Sequence, residues 1–234
     1  YSGVDNHTIH SSQWAQPGRQ CSDVVILREL TLGVAKMTKT PLAGFENDAS
    51  ACYDRIVMNL VSAIFDRMGV PPGPIRLQEQ TLLRVVHFLK TGFGVSTYSY
   101  TSDAITRIYG VGQGSKAGPV SWAVVSSLLF EAQDILGTGL TLQNPTHTLT
   151  HKRHSDGFVD DTTAYHSQLT EWLRATPSIA TVFNGLRQDA QIWERLLWTS
   201  GGLLALDKCE YYLFYFQFFS SGHGTLMSIA VLLL

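Results

Sequence analysis

Asp160 and Asp161 stand side by side in Gly157-Phe158-Val159-Asp160-Asp161-Thr162-Thr163. Two carboxylates crowded onto one turn repel each other and resist ionising together. A divalent cation removes that penalty, because the ion becomes the largest local charge. Hard oxygen ligands in a partly open set suit Mg²⁺, which keeps waters and substrate phosphates in its shell, with Mn²⁺ as the alternative. The β-branched and aromatic residues on either side predict strand, tight turn, strand. An exposed Asp-Asp turn is also a common solvated feature, so its meaning depends on what accompanies it.

Three other segments carry residues of the right type. Phe45-Glu46-Asn47-Asp48-Ala49-Ser50-Ala51-Cys52-Tyr53-Asp54 closes a short apolar run (Leu42, Ala43, Phe45) and opens a helix, which puts Asp48 at a strand end. An acid there, beside a second acid-bearing turn, is how a two-metal site for in-line displacement is assembled. Asp48 as an N-cap of the helix is the plainer alternative. Next comes Gly110-Val111-Gly112-Gln113-Gly114-Ser115-Lys116-Ala117-Gly118-Pro119. Its glycines permit close approach of backbone to a ligand. Pro119 suits a first helical turn, and the helix start could receive a phosphate or a base. The spacing is not that of a P-loop, and a plain connector is the alternative. Finally, Gly201 and Gly202 end an apolar helix, and Lys208 follows at the start of a strand, where a solvated lysine would be equally ordinary.

In this order the four segments resemble the palm of reverse transcriptases. Asp48 with Tyr53 resembles the first carboxylate motif of that family, and Gln113-Gly114 with Pro119 the second motif. Phe158-Val159-Asp160-Asp161 is similar to the aromatic-x-Asp-Asp box, and Lys208 after the Gly-Gly break to the fourth motif. Upstream, Pro17-Gly18-Arg19-Gln20-Cys21-Ser22-Asp23 and the helix after it resemble the block that precedes the first motif in retroelements without long terminal repeats and in group II introns. The likeness spans about residues 13–220.

The resemblance implies an RNA-directed DNA polymerase core. Asp48, Asp160 and Asp161 would be the metal ligands and catalytic acids for Mg²⁺, or Mn²⁺. Lys208 would be the catalytic proton donor to pyrophosphate, or a charge upon it. Tyr53 would exclude a ribose 2′-hydroxyl, Gln113 and Gly114 would line the nucleotide pocket, and Phe158 would support the acid turn. The implied partners are an RNA template, a DNA primer and deoxynucleoside triphosphates, with flanking fingers and thumb regions of a larger polyprotein. The implied fold is α+β: a palm whose antiparallel sheet carries helices on one face. Partial fingers would occupy 1–41 and the palm 42–220, with fingers helices inserted at about 70–110 and a C-terminal tail at 221–234. Two other functions compete: an inactive retroelement remnant acting as a nucleic-acid-binding or structural module, and another palm-type enzyme such as a cyclic-dinucleotide synthase. The Gln113-Gly114…Pro119 loop separates the first reading from the last.

Composition bounds the rest. A net charge of −2 is low for a protein that grips nucleic acid, since Lys and Arg contacts to phosphate supply most non-specific affinity. Charged residues make up 15%, below the usual ~25%, while 44% hydrophobic content is ample for a core. Cys21, Cys52 and Cys209 form no paired spacing, so a reducing, intracellular setting is expected, nucleus and cytoplasm being indistinguishable. The apolar stretch 226–234 is too short to span a bilayer, so no membrane is expected; it reads as a strand or a tail.

Periodicity predicts helices over about 22–37, 50–68, 75–91, 120–136 and 178–199. Strands are predicted over about 42–47, around Asp160-Asp161 and beyond 203, with a hairpin pairing 94–102 to 104–109. His147, His151 and His154 have helical spacing, but the threonines and Pro145 around them favour a solvated linker over a metal site.

Overall fold

The computed structural model describes residues 9–38, 40–102, 110–112, 114–144, 146, 148–167, 178–218 and 224–231. In chain order these form α1 (Cys21–Thr38), β1 (Leu42–Asp48), a 3-10 turn (Cys52–Arg55), α2 (Met58–Arg67), α3 (Pro72–Leu83), β2 (Val86–Thr91), β3 (Gly94–Thr101) and α4 (Ala117–Leu136). There follow β4 (Leu140–Gln143), β5 (Thr150–Arg153), β6 (Ser155–Phe158), β7 (Asp161–His166), α5 (Ile179–Thr199), a second 3-10 turn (Leu206–Lys208), β8 (Glu210–Phe218) and β9 (Gly224–Val231).

The main sheet is antiparallel in the order β6-β7-β1-β8-β9. β1 is central, and its side chains alternate between faces. Ala43 and Phe45 join the larger core with Phe130 of α4 and Val182, Leu186, Trp193 and Leu197 of α5. The spacing of those α5 residues is helical, so the helix lays one apolar stripe on the sheet. Ser178 caps it, its Oγ accepting from Thr181 N at 3.1 Å.

Leu42 faces the other way, into a smaller cluster with Ala35 of α1, Leu140 and Tyr165. Helices therefore cover both faces of the sheet and not one, because α1 has its own apolar residues to bury. Polar contacts fix α1 there. Arg28 donates to Glu46 at 2.8 Å and to Thr163, and Arg153 donates to Thr31 at 2.8 Å while pairing with Asp156.

Other expectations need correction. The helix expected over 50–68 is broken: Ile56 and Val57 are extended, and α2 begins only at Met58. The break frees carbonyls that the glycine-rich loop takes up, with Gly110 N donating to Ile56 O (3.0 Å) and Val111 N to Tyr53 O (2.9 Å). The helix expected over 75–91 stops at Leu83, because Val85-Val86-His87-Phe88 is β-branched and aromatic. The strand that follows, β2, pairs with β3, so 94–101 finds its partner upstream; residues 104–109 lie outside the described set. His154 is not in a solvated linker. It is buried, with Nδ1 2.6 Å from Asp134 Oδ1, while His151 lies in β5 and His147 is outside the described residues. Residues 224–231 are strand, the sheet's outermost.

Candidate active site

β1 and β7 run antiparallel with Asp48 directly opposite Asp161. Opposed residues share a face, so both acids leave the sheet at one end on one side. Asp160 occupies the β6–β7 turn, whose neck is the pair Phe158–Asp161. Three acids distant in sequence thus meet where two strands end.

The turn is held in an unusual conformation. Val159 lies in the left-handed region at φ 59°, rare for a β-branched residue. Its carbonyl accepts from Trp122 Nε1 at 2.6 Å and from Gln13 Nε2 at 3.3 Å. Those donors aim the turn, and Asp160 with it. Gly157 is required beneath: a Cβ there would meet the Phe130 ring at 2.7 Å.

Asn47 sets the spacing between the acid-bearing strands. Its Nδ2 donates to Thr162 O at 3.1 Å, and its Oδ1 accepts from Trp193 Nε1 at 2.9 Å. All of these side chains are buried, so α5 is bolted to the residues beside Asp48 and Asp161.

Beyond α5 the chain turns at Gly201 (φ 92°) and runs back along the exit of β1. Ser50 N donates to Leu203 O (2.7 Å) and Ala205 N to Asp48 O (2.9 Å). This return delivers Lys208, whose Nζ lies 2.5 Å from Asp48 Oδ2. A cleft of about 240 Å³ remains, lined by Asp48, Cys52, Tyr53, Asp54, Asp160 and Lys208 among others.

The cleft is strongly negative, and its ionisable groups register it. Burial first, then repulsion from Asp160 and Asp48, raises the Asp161 carboxyl. Burial, then Asp160, raises the Tyr53 phenol. Burial, then Asp160, Asp48 and Asp54, pushes the Cys52 thiol far up, so it is an uncharged packing group and not a nucleophile. The hydrogen bond to Asp48 raises the Lys208 ammonium. A cation is already lodged on one carboxylate, which shows what the donor set attracts. Among the described residues no three His, Cys, Asp or Glu side chains form a ready-made metal cage. The carboxylates of Asp48 and Asp160 are hard, partly exposed oxygen ligands, which suits an ion that draws the rest of its shell from phosphates and water.

The structure thus unites Asp48, Tyr53, Asp160 and Lys208 around one cleft, while Asp161, opposite Asp48 in the sheet, is exposed and not among the cleft's lining residues, and Phe158 is half-buried at the hairpin neck. Gly114 occupies a left-handed turn (φ 87°) ahead of α4 and is not among the cleft's lining residues. The loop meets the site through Gly118, where a Cβ would come within 3.1 Å of the Tyr53 ring. Gln113 lies outside the described residues. Sequence reasoning missed Asn47, Gln13, Trp122 and Trp193 as positioning groups. The two tryptophans are legible only as apolar helix residues, and nothing in the sequence points to Gln13.

No protein-family model matches the sequence, and no curated protein does. Among solved structures, the chain is similar to the telomerase of Candida albicans in complex with a fragment of telomeric RNA, at a TM-score of 0.55 and 12% identity, over 89% of this chain and 31% of that one. It also aligns with the telomerase of Candida tropicalis (TM-score 0.49, 15% identity, 80% of this chain and 29% of that one). The chain therefore spans less than a third of the first telomerase it matches. The first likeness defines the fold class: a reverse-transcriptase-like α+β fold. It reaches the fold and not the narrower retroelement grouping. No helix among the described residues is long and apolar enough to cross a membrane.

Proposed function

We propose that the chain is the core of an RNA-directed DNA polymerase, transferring a deoxynucleotide to a primer 3′-hydroxyl. The observation that carries this is the pairing of Asp48 with Asp161 across β1–β7, with Asp160 at the adjoining turn and Lys208 on Asp48. That places acids and a cation around one cleft, as an in-line displacement at phosphorus requires.

Asp48 and Asp160 would hold divalent magnesium, or manganese, with Asp161 as the third acid. The bound ions would supply charge neutralisation and activation of the attacking oxygen. The chain's own residues do the rest. Tyr53, wedged beside Gly118, presents a ring edge where a ribose 2′-hydroxyl would project. Lys208, exposed on a long stem beside Asp48, would turn to the departing pyrophosphate and give it a proton. Val159, clamped by Trp122 and Gln13, keeps Asp160 aimed at the cleft. The telomerase of similar fold is bound to a fragment of telomeric RNA, which supports RNA as a partner here.

Primer extension on an RNA template, with Mg²⁺ and deoxynucleotides, tests the proposal. Extension by the parent and its loss in Asp160→Asn is the expected result. Equal extension by both proteins would overturn the mechanism.

A further inference from the structure

β6 lies at one edge of the main sheet, where its outer backbone groups need a partner. Residues 10–14, ahead of α1, supply one. Gly157 N donates to Ser12 O and Trp14 N to Gly157 O, both at 2.7 Å, with Gln13 bridging Gly157 in the parallel sense. Trp14 adds a side-chain contact, its Nε1 donating to Asp156 Oδ1 at 3.0 Å. This strap therefore docks on the strand that leads into the acid turn, two residues short of Val159.

Gln13 carries the contact onward. It is fully buried, and a buried amide must find partners for both its N–H and its carbonyl. Nε2 donates to Ser126 Oγ at 2.9 Å and to Val159 O at 3.3 Å, while Oε1 accepts from Ala15 N at 3.1 Å. One side chain thus joins the strap, α4 and the turn that bears Asp160.

His10 fastens the other end. Its backbone N donates to Ser127 Oγ at 3.0 Å. Its Nδ1 accepts from Ser12 N at 3.2 Å, which puts the proton of a neutral ring on Nε2, 3.2 Å from Asp134 Oδ2. The second oxygen of Asp134 takes Nδ1 of buried His154 at 2.6 Å. Burial raises the Asp134 carboxyl, but the hydrogen bonds from His10 and His154 outweigh it and hold the group well below the usual carboxylate range. Asp134 is thus a charged anchor, and hydrogen bonds to a charged acceptor are the stronger kind. On its far side the strap borders a groove of about 890 Å³, lined by Ile9, His10 and Arg19 with Leu60, Ile64 and Met68 of α2. That side is open, which shifts the hold onto the hydrogen bonds.

We propose that residues 10–14 are a positioning strap for the acid turn: Gln13 sets Val159, and so Asp160, while His10 on Asp134 keeps Gln13 in place. For the reaction it serves, this rests on the polymerase function proposed above. Neither Gln13 nor His10 is among the cleft's lining residues, so both act on it through the turn.

The test uses the full chain and two spectroscopic readings. Electron paramagnetic resonance gives the Mn²⁺ affinity. The indole N–H resonance of Trp122, identified by its loss in Trp122→Phe, reports on the Val159 carbonyl that it bonds. Gln13→Met keeps the length of the side chain and removes the donor. His10→Ala removes the latch, and His10→Gln restores an N–H toward Asp134. Gln13→Met and His10→Ala are expected to bind Mn²⁺ about tenfold more weakly, the usual effect of losing a group that orients ligands, and to shift the indole signal. His10→Gln should recover most of both. Leu30→Ala, exposed on α1, should match the parent, and circular dichroism verifies each fold. Parent-like affinity and indole signal in Gln13→Met or in His10→Ala would overturn the proposal, as would a His10→Gln variant no better than His10→Ala. Should the parent hold no Mn²⁺, the indole signal alone decides. Primer extension separates the two readings. Strap effects in a chain that never extends a primer sink the polymerase function alone, while extension by a parent whose strap variants match it in every reading sinks the strap alone.

Discussion

Lys208 Nζ and Asp48 Oδ2 lie 2.5 Å apart, joining the end of a 3-10 turn to the end of the central strand. The lysine side chain is largely exposed, so the pair is screened and its strength modest. Its importance is one of place: the ammonium occupies the oxygen that a divalent ion would use. Lys208→Gln should bind Mn²⁺ up to about fivefold more tightly, as read by electron paramagnetic resonance, and the gain should shrink as salt is raised. Unchanged affinity would show that Lys208 and the ion do not compete.

Tyr53 has its ring against Gly118 and its edge in the acid cleft. Tyr53→Ala opens space where a 2′-hydroxyl would sit. The variant should incorporate ribonucleotides at least about tenfold more readily relative to deoxynucleotides, a discrimination worth about 1.4 kcal/mol. Competition between the two sugars measures it directly, and an unaltered ratio removes Tyr53 from sugar choice.

Val159 holds a left-handed backbone that a β-branched side chain resists, at about 1–2 kcal/mol. Glycine adopts it freely but gives up more entropy on folding. Because the carbonyl contacts to Trp122 and Gln13 belong to the backbone, Val159→Gly should retain them. We expect its stability to match or exceed the parent's by about 1 kcal/mol in urea denaturation. A clear loss would mean the valine side chain holds the turn.

Buried Asp189 accepts from His166 Nδ1 (2.7 Å), Thr138 N (2.8 Å) and Gly139 N (3.0 Å). Burial raises its carboxyl, but these donors outweigh burial and hold it below the usual carboxylate value. A depressed folded value means the unfolded chain binds more protons in acid. The stabilisation is therefore complete above the unfolded pKa, near 3.8, and lost as pH falls through the folded one. Asp189→Asn should cost about 3 kcal/mol at neutral pH, since it strips His166 of its partner, and should flatten the stability curve at the acid end. A variant as acid-sensitive as the parent would place that sensitivity elsewhere.

Much of this architecture is legible in the sequence where local pattern and tertiary outcome agree. α1, α4, α5 and β1 fall within a few residues of their periodic or apolar segments, and Asp48, Tyr53, Asp160 and Lys208 do share a cleft. The failures have a common origin in non-local contacts. Residues 50–57 have helical apolar spacing, yet their carbonyls bond to a loop more than fifty residues downstream. Residues 86–91 continue a helical run by position, but their β-branched and aromatic character wins once β3 offers a partner. The second face of the sheet was hidden because α1 reads as an ordinary amphipathic helix whose target no pattern names. Asn47 looked like a polar residue in a motif, and only the fold shows that Trp193 and Thr162 depend on it.

The central position of β1 has a consequence for biosynthesis. Both of its neighbours, β7 and β8, come from far later in the chain. On a ribosome that adds residues one at a time, β1 waits with both hydrogen-bonding edges bare until β7 and then β8 emerge. Unpaired strand edges are templates for wrong partners. The strand that carries the first acid is thus the most vulnerable element of the nascent chain, and truncation directly after α5 would leave an open edge beside Asp48 and remove Lys208 as well. Slow translation or scarce chaperones should therefore favour aggregation, independently of any property of the finished site.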